Sequence, residues 1–229
     1  MHPDGVALVA EQVAARQARL VAITGGVAAG KSTFAAALGE ALPVSSVVVA
    51  GDGFLLPTAE LAARGLSERK GFPDSYDTAA LATFLDAVRA GDPRASAPVY
   101  SHLAYDVVPG ERVVVGDADV VIVEGLHLAS PALGVRDRFD LVVHLDADDD
   151  DLERWYLQRF RSLRGAAAGD PSAFLHGYLA MGDEALDAIA IDVWHKVNLV
   201  VLDEHVRPAA VHADVVLHLD ADHGVERVD

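Results

Sequence analysis

The chain contains no cysteine. Disulfides, thiolate metal sites and a cysteine nucleophile are therefore excluded, and the composition is compatible with a reducing compartment. Positive charge is scarce: 18 Lys and Arg stand against 35 Asp and Glu, for a formal net charge of −17. Nucleic-acid binders carry a basic footprint. This chain has the opposite sign, so no nucleic-acid partner is expected. An anionic ligand must be met by a few well-placed cations rather than by the overall field. No unbroken apolar run is long enough to span a bilayer, and no membrane partner is expected. Met1 to Leu20 lacks a basic segment followed by an apolar core, so it does not read as a signal peptide. Glu11, Gln12, Arg16, Gln17 and Arg19 interrupt its Val and Ala residues, and residues 1–19 are expected to form an N-terminal helix. The expected location is the cytoplasm.

What is present is apolar. Hydrophobic residues make up 52% of the 229, enough for a sizeable core and too many for long disorder. One domain over 1–229 is expected. Short β-branched runs alternate with longer helical stretches. Leu20–Thr24, Val47–Ala50, Val120–Val123, Leu141–Leu145 and Val215–Leu219 read as buried strands. Ser32–Ala41, Asp77–Ala90 and Asp150–Leu163 read as helices, the last with acidic residues at its start and arginines at its end, the order a helix dipole favours. Apolar strands alternating with helices predict an α/β fold. A mostly parallel, doubly wound sheet would be covered on both faces in a three-layer αβα arrangement.

Gly25-Gly26-Val27-Ala28-Ala29-Gly30-Lys31-Ser32 fits G-x-x-x-x-G-K-[ST], after a predicted strand and opening a predicted helix. Glycines let the backbone fold around phosphate oxygens, and the helix N-terminus adds partial positive charge. Lys31 would reach the β- and γ-phosphates of ATP, and Ser32 would ligate Mg2+. Thr33 completes the expected nucleotide-binding set. The motif predicts a P-loop NTPase-type fold but does not say which acceptor is phosphorylated.

Two acids sit at the carboxyl ends of predicted strands, where a doubly wound sheet lines its ligand crevice. Asp52 would take the proton of an acceptor hydroxyl or ligate Mg2+; it is also a plausible turn residue between two glycines. Glu124 resembles a Walker-B-type acid on the Mg2+ side. Asp146, Asp148, Asp149, Asp150 and Asp151 read as helix-capping residues pairing with Arg154 rather than as a metal site. Arg154, Arg159, Arg161 and Arg164 crowd one helix, and at least one is expected to face ATP. Tyr156 and Phe160, spaced four apart beside Trp155, read either as core or as a ligand wall.

Longer strings are more specific. Asp52-Gly53-Phe54-Leu55, Arg64-Gly65-Leu66 and Lys70-Gly71-Phe72-Pro73-Asp74-Ser75-Tyr76-Asp77 resemble the bacterial type I pantothenate kinases. So do Ala97-Pro98-Val99-Tyr100-Ser101-His102-Leu103-Ala104-Tyr105-Asp106-Val107-Val108-Pro109, Val123-Glu124-Gly125-Leu126, Trp155-Tyr156 with Arg159-Phe160, and Trp194-His195-Lys196-Val197-Asn198. The similarity runs from about residue 20 to the end. It implies ATP-dependent phosphorylation of the primary hydroxyl of pantothenate, the first step toward coenzyme A, by a homodimer. By the resemblance, Asp52 is the catalytic base; Lys31, Ser32 and Arg159 handle phosphate; and Glu124 is a Mg2+-side acid. His102, Tyr156, Tyr178, Asn198 and His223 fall on substrate-pocket positions, and Phe160 on an aromatic wall. A helical lid and substrate region is expected around 150–182.

Three departures from the family pattern stand out. Only about twenty residues precede the first strand, where the family carries a longer helical extension. A lid tyrosine is Phe174. Two positions that hold coenzyme A in feedback inhibition, one basic and one aromatic, are Ala36 and Leu163. The alternatives are a related kinase of the same superfamily acting on uridine, glycerate or a sugar, or a nucleotide-binding regulator without turnover. A phosphorylated sugar would need arginines near Asp52, and Arg64 and Arg69 are the candidates. A sensor would need no base beside Lys31, Ser32 and Arg159.

Overall fold

The computed structural model describes residues 3–229. Its main sheet has six strands: β1 (Leu20–Gly25), β2 (Ser46–Ala50), β5 (Val120–Glu124), β6 (Leu141–Asp146), β7 (Val215–Leu219) and β8 (Val225–Val228). Their spatial order is β2-β5-β1-β6-β7-β8. The first five run parallel, and β8 closes the edge antiparallel to β7. Parallel neighbours need crossovers, and helices supply them.

Alternation along each strand divides the core in two. Val21 and Ile23 of β1, Ile122 of β5 and Val143 of β6 face one apolar layer. That layer is built from α1 (Pro3–Arg16), α2 (Lys31–Ala41), the start of α5 (Asp149–Ala167) and the helical run after residue 194. Leu20 and Ala22 of β1, Val121 and Val123 of β5, and Val142 of β6 face the other, against Phe54 and α4 (Thr78–Arg89), which follows the short α3 (Thr58–Ala63). Both faces are thus apolar, which is why these strands read as unbroken apolar runs. The predicted three-layer αβα sheet is present, and the predicted elements are displaced by no more than a few residues at their ends.

Four features depart from the sequence reading. Residues Ser96–Ser101 (β3) and Asp106–Val114 (β4) form a separate antiparallel hairpin with an irregularity between Pro98 and Tyr100. Strand β8 was not expected. Helix α6 (Asp183–Val193) continues into π-helical segments Trp194–Asn198 and Leu202–Val206, separated by one α-helical turn. The acidic run is also only partly a cap. Asp148 holds the N-cap position of α5, but its side chain makes no capping bond; its carbonyl accepts from Asp151 and Leu152 instead. Asp151 does pair with Arg154, at 2.6 Å, and Asp149 pairs with Arg207, at 2.5 Å.

The sheet register brings the candidate groups to one edge. Ala50 of β2 stands opposite Glu124 of β5, and Ile23 of β1 stands opposite Glu124 on the other side. After β2 the chain makes a tight 3-10 turn, Gly51–Phe54, that carries Asp52. A Cβ on Gly53 would lie 2.0 Å from the Pro98 carbonyl oxygen, a separation no side chain tolerates. Glycine there lets β3 pack directly against the turn. The hairpin thereby becomes a wall of the crevice.

Candidate active site

The P-loop begins where β1 ends. Gly25 has φ of 146°, and a Cβ there would meet the Leu145 carbonyl oxygen at 2.3 Å, so the loop can leave the sheet only through glycine. Ala28 takes a left-handed φ of 65°. A side-chain-bearing residue in that region is strained, and such strain concentrates at ligand loops. The first turn of α2 holds no acidic residue of its own, so its N–H groups keep the partial positive charge that favours an anion.

Lys31 is 9% exposed, and its ammonium donates to the Gly26 carbonyl at 2.7 Å. Burial pushes its pKa below the usual lysine range, with Arg159 adding to the fall; Glu124 and Asp52 pull it back up. Ser32 Oγ donates to Glu124 Oε1 at 3.0 Å. Burial raises the Glu124 carboxyl above its usual range, and the nearby Asp52 charge adds to the rise, while Lys31, the Ser32 hydroxyl and Arg159 oppose it. Four groups, Lys31, Glu124, Asp52 and Arg159, thus share one field at the carboxyl edge of the sheet.

The arginines of α5 are now separable. Arg154 pairs with Asp151, and Arg161 and Arg164 both pair with Asp187. Arg159 has no carboxylate partner among the described residues, yet it acts on Lys31, Glu124 and His102. The residue is exposed.

Beyond Asp52 lies a wall of rings. Asp52 Oδ1 accepts from the Tyr76 hydroxyl at 3.2 Å. On the hairpin, His102 packs edge-on to Tyr100, with centroids 5.1 Å apart. Burial lowers the His102 pKa, with Arg159 adding to the fall, so the ring is neutral near pH 7. Tyr105, Phe174 and Tyr178 pack in series as tilted rings, with centroids 4.9 and 5.5 Å apart. Tyr156 lies on Trp194 at 5.6 Å, and burial pushes its phenol up to about 12. Asn198 sits in the first π-helical segment beside the Tyr156 hydroxyl, and its buried Nδ2 has no hydrogen-bond partner. Tyr156 is therefore both core and wall: its ring packs on the core while its hydroxyl faces Asn198. Phe160 is half-buried one turn further along α5.

His223 stands apart from this group. Its ring stacks on Trp155 at 3.6 Å and meets the backbone of Ala28 in the P-loop. It therefore lies on the phosphate-loop side, not with His102 and Tyr178.

Lys70, Tyr76, Tyr100 and Tyr105 were not singled out by sequence reasoning, although all four lie in its two most specific strings. Lys70 is 9% exposed; its ammonium donates to Thr58 Oγ1 at 3.0 Å and to the Tyr105 carbonyl. It lies 4.2 Å from the Tyr105 ring centroid. The available signal was the specificity of the two strings themselves, which carry these four residues. Arg64 and Arg69 are both engaged elsewhere, Arg64 with Glu60 and Arg69 with Asp74 at 2.6 Å.

Residues 20–170 match the phosphoribulokinase / uridine kinase family. The chain is 44% identical to a pantothenate kinase of Mycolicibacterium smegmatis over 217 residues, covering 91% of this chain and 69% of that protein. It is 46% identical to a pantothenate kinase of Streptomyces avermitilis over 225 residues, covering 91% and 68%. In fold it is similar to a D-glycerate 3-kinase of Cryptococcus neoformans, with a TM-score of 0.66, 14% identity and 98% of each chain covered.

Proposed function

Because the chain belongs to the phosphoribulokinase / uridine kinase family of P-loop kinases and, within it, to the bacterial type I pantothenate kinases, we propose that it transfers the γ-phosphoryl group of ATP to the primary hydroxyl of pantothenate, giving 4'-phosphopantothenate. The observation that carries the reading is the shared field of Lys31, Glu124, Asp52 and Arg159 at the sheet's carboxyl edge. Phosphoryl transfer demands little covalent chemistry from the protein. It demands positioning and charge stabilisation. Lys31 and the N–H groups of the P-loop and α2 hold the β- and γ-phosphates. Arg159, free of carboxylate partners, faces the charge that spreads over the transferring group. Asp52 accepts the hydroxyl proton as the new P–O bond forms.

The acceptor side favours a small, uncharged-headed alcohol over a phosphorylated sugar. Arg64 and Arg69, the two arginines a sugar phosphate would require, point to surface partners, Glu60 and Asp74. His102, Tyr178 and Asn198 offer neutral polar contacts instead, and the unpaired Nδ2 of Asn198 is a buried donor suited to a polar ligand group. His223, lying against the P-loop, belongs to the nucleotide half of the crevice in this reading.

Ser32 Oγ and Glu124 Oε1, 3.0 Å apart, form a hard-oxygen pair at the N-terminus of α2. That donor set fits Mg2+, which takes one or two protein oxygens and completes its shell with phosphate and water. Bound there, Mg2+ would neutralise developing phosphate charge. Residues 150–182 form the lid in this proposal, and the enzyme works as a cytoplasmic homodimer.

A coupled ADP-release assay tests the reading with pantothenate, uridine, D-glycerate and ribulose 5-phosphate as acceptors. Turnover is expected with pantothenate, with kcat/KM for the others lower by at least about 10³-fold; a buried polar pocket discriminates by such factors when its groups are left unpaired. Preference for any of the other three would overturn it.

Regulation should differ from the family pattern. Ala36 is exposed on α2 and Leu163 half-buried on α5. They stand where a basic and an aromatic side chain would grip coenzyme A. Each lost contact weakens binding by about 1–3 kcal/mol, so inhibition by coenzyme A should be weak. Potent inhibition competitive with ATP would show that other residues compensate.

A further inference from the structure

The string Lys70–Asp77 is specific, yet none of the roles above explains it. The structure gives each part a task around Asp52. Asp77 caps α4 by accepting from the Ala80 amide at 2.9 Å. Ser75 ties the loop on itself, accepting from Gly71 N at 3.0 Å and donating to the Phe72 carbonyl at 2.6 Å. The segment is then zipped to the chain leaving Asp52: Leu56 N donates to Ser75 O and Asp77 N to Phe54 O, both at 2.8 Å. Leu55 and Tyr76 form a β-bridge. Asp52 and Tyr76 are thereby carried on two segments that cannot move independently.

Tyr76 is 7% exposed. Its hydroxyl is the one hydrogen-bond partner of the Asp52 carboxylate among the described residues. Its ring is held edge-on by His127, with centroids 5.6 Å apart and planes at 88°. His127 is itself 1% exposed and fixed by a 2.7 Å bond from Nε2 to the Gly71 carbonyl. A carbonyl only accepts, so Nε2 carries the proton and Nδ1 is the bare nitrogen. Burial holds His127 down to about 4, so the ring stays neutral. Burial and the adjacent Asp52 charge raise the Tyr76 phenol well above its usual range, so it remains a donor at any working pH.

We propose that Tyr76 is a positioning residue for the phosphoryl-transfer step: its hydroxyl holds Oδ1 of Asp52 and so presents Oδ2 to the acceptor hydroxyl, while His127 fixes the tyrosine ring. The acceptor oxygen attacks the γ-phosphorus, the bond to the ADP oxygen breaks, and the acceptor proton passes to Oδ2. The Tyr76 proton stays on Tyr76 throughout. This inference rests on the reading of Asp52 as the base.

The test is a double-mutant cycle of Tyr76→Phe and Asp52→Asn, with kcat and both KM values measured for each. Tyr76→Phe removes one oxygen and keeps the ring, so melting temperature should stay close to the parent's. A hydrogen bond to a charged group is worth about a tenfold change in rate or more. Tyr76→Phe should therefore lower kcat about tenfold, leaving KM for ATP and acceptor within about twofold. In the Asp52→Asn background the same change should cost less than about twofold, because the carboxylate it aligns is gone. Equal losses in both backgrounds, an unchanged kcat, or a loss seen in acceptor KM alone would each overturn the positioning role. If Asp52→Asn by itself leaves kcat intact, it is the base assignment that fails.

Discussion

Replacing Asp52 with Asn should lower kcat by about 10²–10⁴-fold, the range general-base catalysis supplies, while ATP binding persists. The substitution keeps size and shape. Its carbonyl oxygen can still accept from Tyr76, so the 51–54 turn should hold. What disappears is the proton acceptor. A primary alcohol is a poor nucleophile near neutral pH, but in a loose transition state its proton leaves late, so what the carboxylate chiefly needs is the right place. Position is what the fold supplies: Gly51–Phe54 sets Asp52 at the carboxyl edge, beside Glu124 and within the field of Lys31. Steady-state kinetics with pantothenate, beside nucleotide titration by calorimetry, separate the outcomes. A nearly unchanged kcat would remove Asp52 from the chemistry. Collapse of ATP binding would instead make it chiefly a Mg2+ ligand, leaving the kinase family intact and the mechanism wrong.

The parallel sheet and the P-loop were legible because their signals are local. Residues 20–25, 120–124 and 141–146 are buried almost throughout, and burial on both faces leaves an unbroken apolar string. The β3–β4 hairpin left no such trace. Its residues are mostly half-buried or exposed, and Pro98 and Pro109 interrupt any alternation, so it reads as loop until the Pro98 carbonyl is seen packed on Gly53. The hairpin nevertheless carries His102 and Tyr100. The helical run after 193 has a different reason. Its π-helical segments shift the apolar spacing away from 3.6 residues per turn, and such segments recur at functional sites; Asn198 lies in one of them. Of the four arginines on α5, sequence spacing separates only Arg154, which pairs with Asp151 on the same helix. The placement of Asp187 on α6 is what distinguishes Arg159 from Arg161 and Arg164. The Tyr76–Asp52 bond joins residues 24 apart, a pairing no spacing rule predicts.

Replacing Lys31 with Ala should cost about 3–4 kcal/mol of transition-state stabilisation, of the order found when one preorganised electrostatic donor is removed, or roughly 10²–10³-fold in kcat/KM. The side chain is buried, and its ammonium is held within the P-loop by the Gly26 carbonyl, so little reorganisation is needed when phosphate arrives. Burial depresses its pKa despite two nearby carboxylates. Holding this charge out of water is therefore a standing cost to the unliganded fold, one that phosphate contacts offset. The sign follows from that. A base whose folded pKa lies below its unfolded value opposes folding wherever the unfolded side chain is protonated. Losing it should not by itself destabilise the protein, although Glu124 and Asp52 then lose the cation between them. The melting temperature without ligand should accordingly stay within a few degrees of the parent's. The stabilisation by ATP, which grows as RT ln(1 + [L]/Kd), should shrink sharply. Differential scanning fluorimetry across an ATP titration reads both quantities, and the coupled assay reads the rate. Near-normal turnover, or an undiminished shift with ATP, would show that the P-loop amides and Arg159 hold the γ-phosphate without Lys31. A large fall in the unliganded melting temperature would show instead that Lys31 is needed to offset the repulsion between Glu124 and Asp52 in the folded chain, and that its first role is structural.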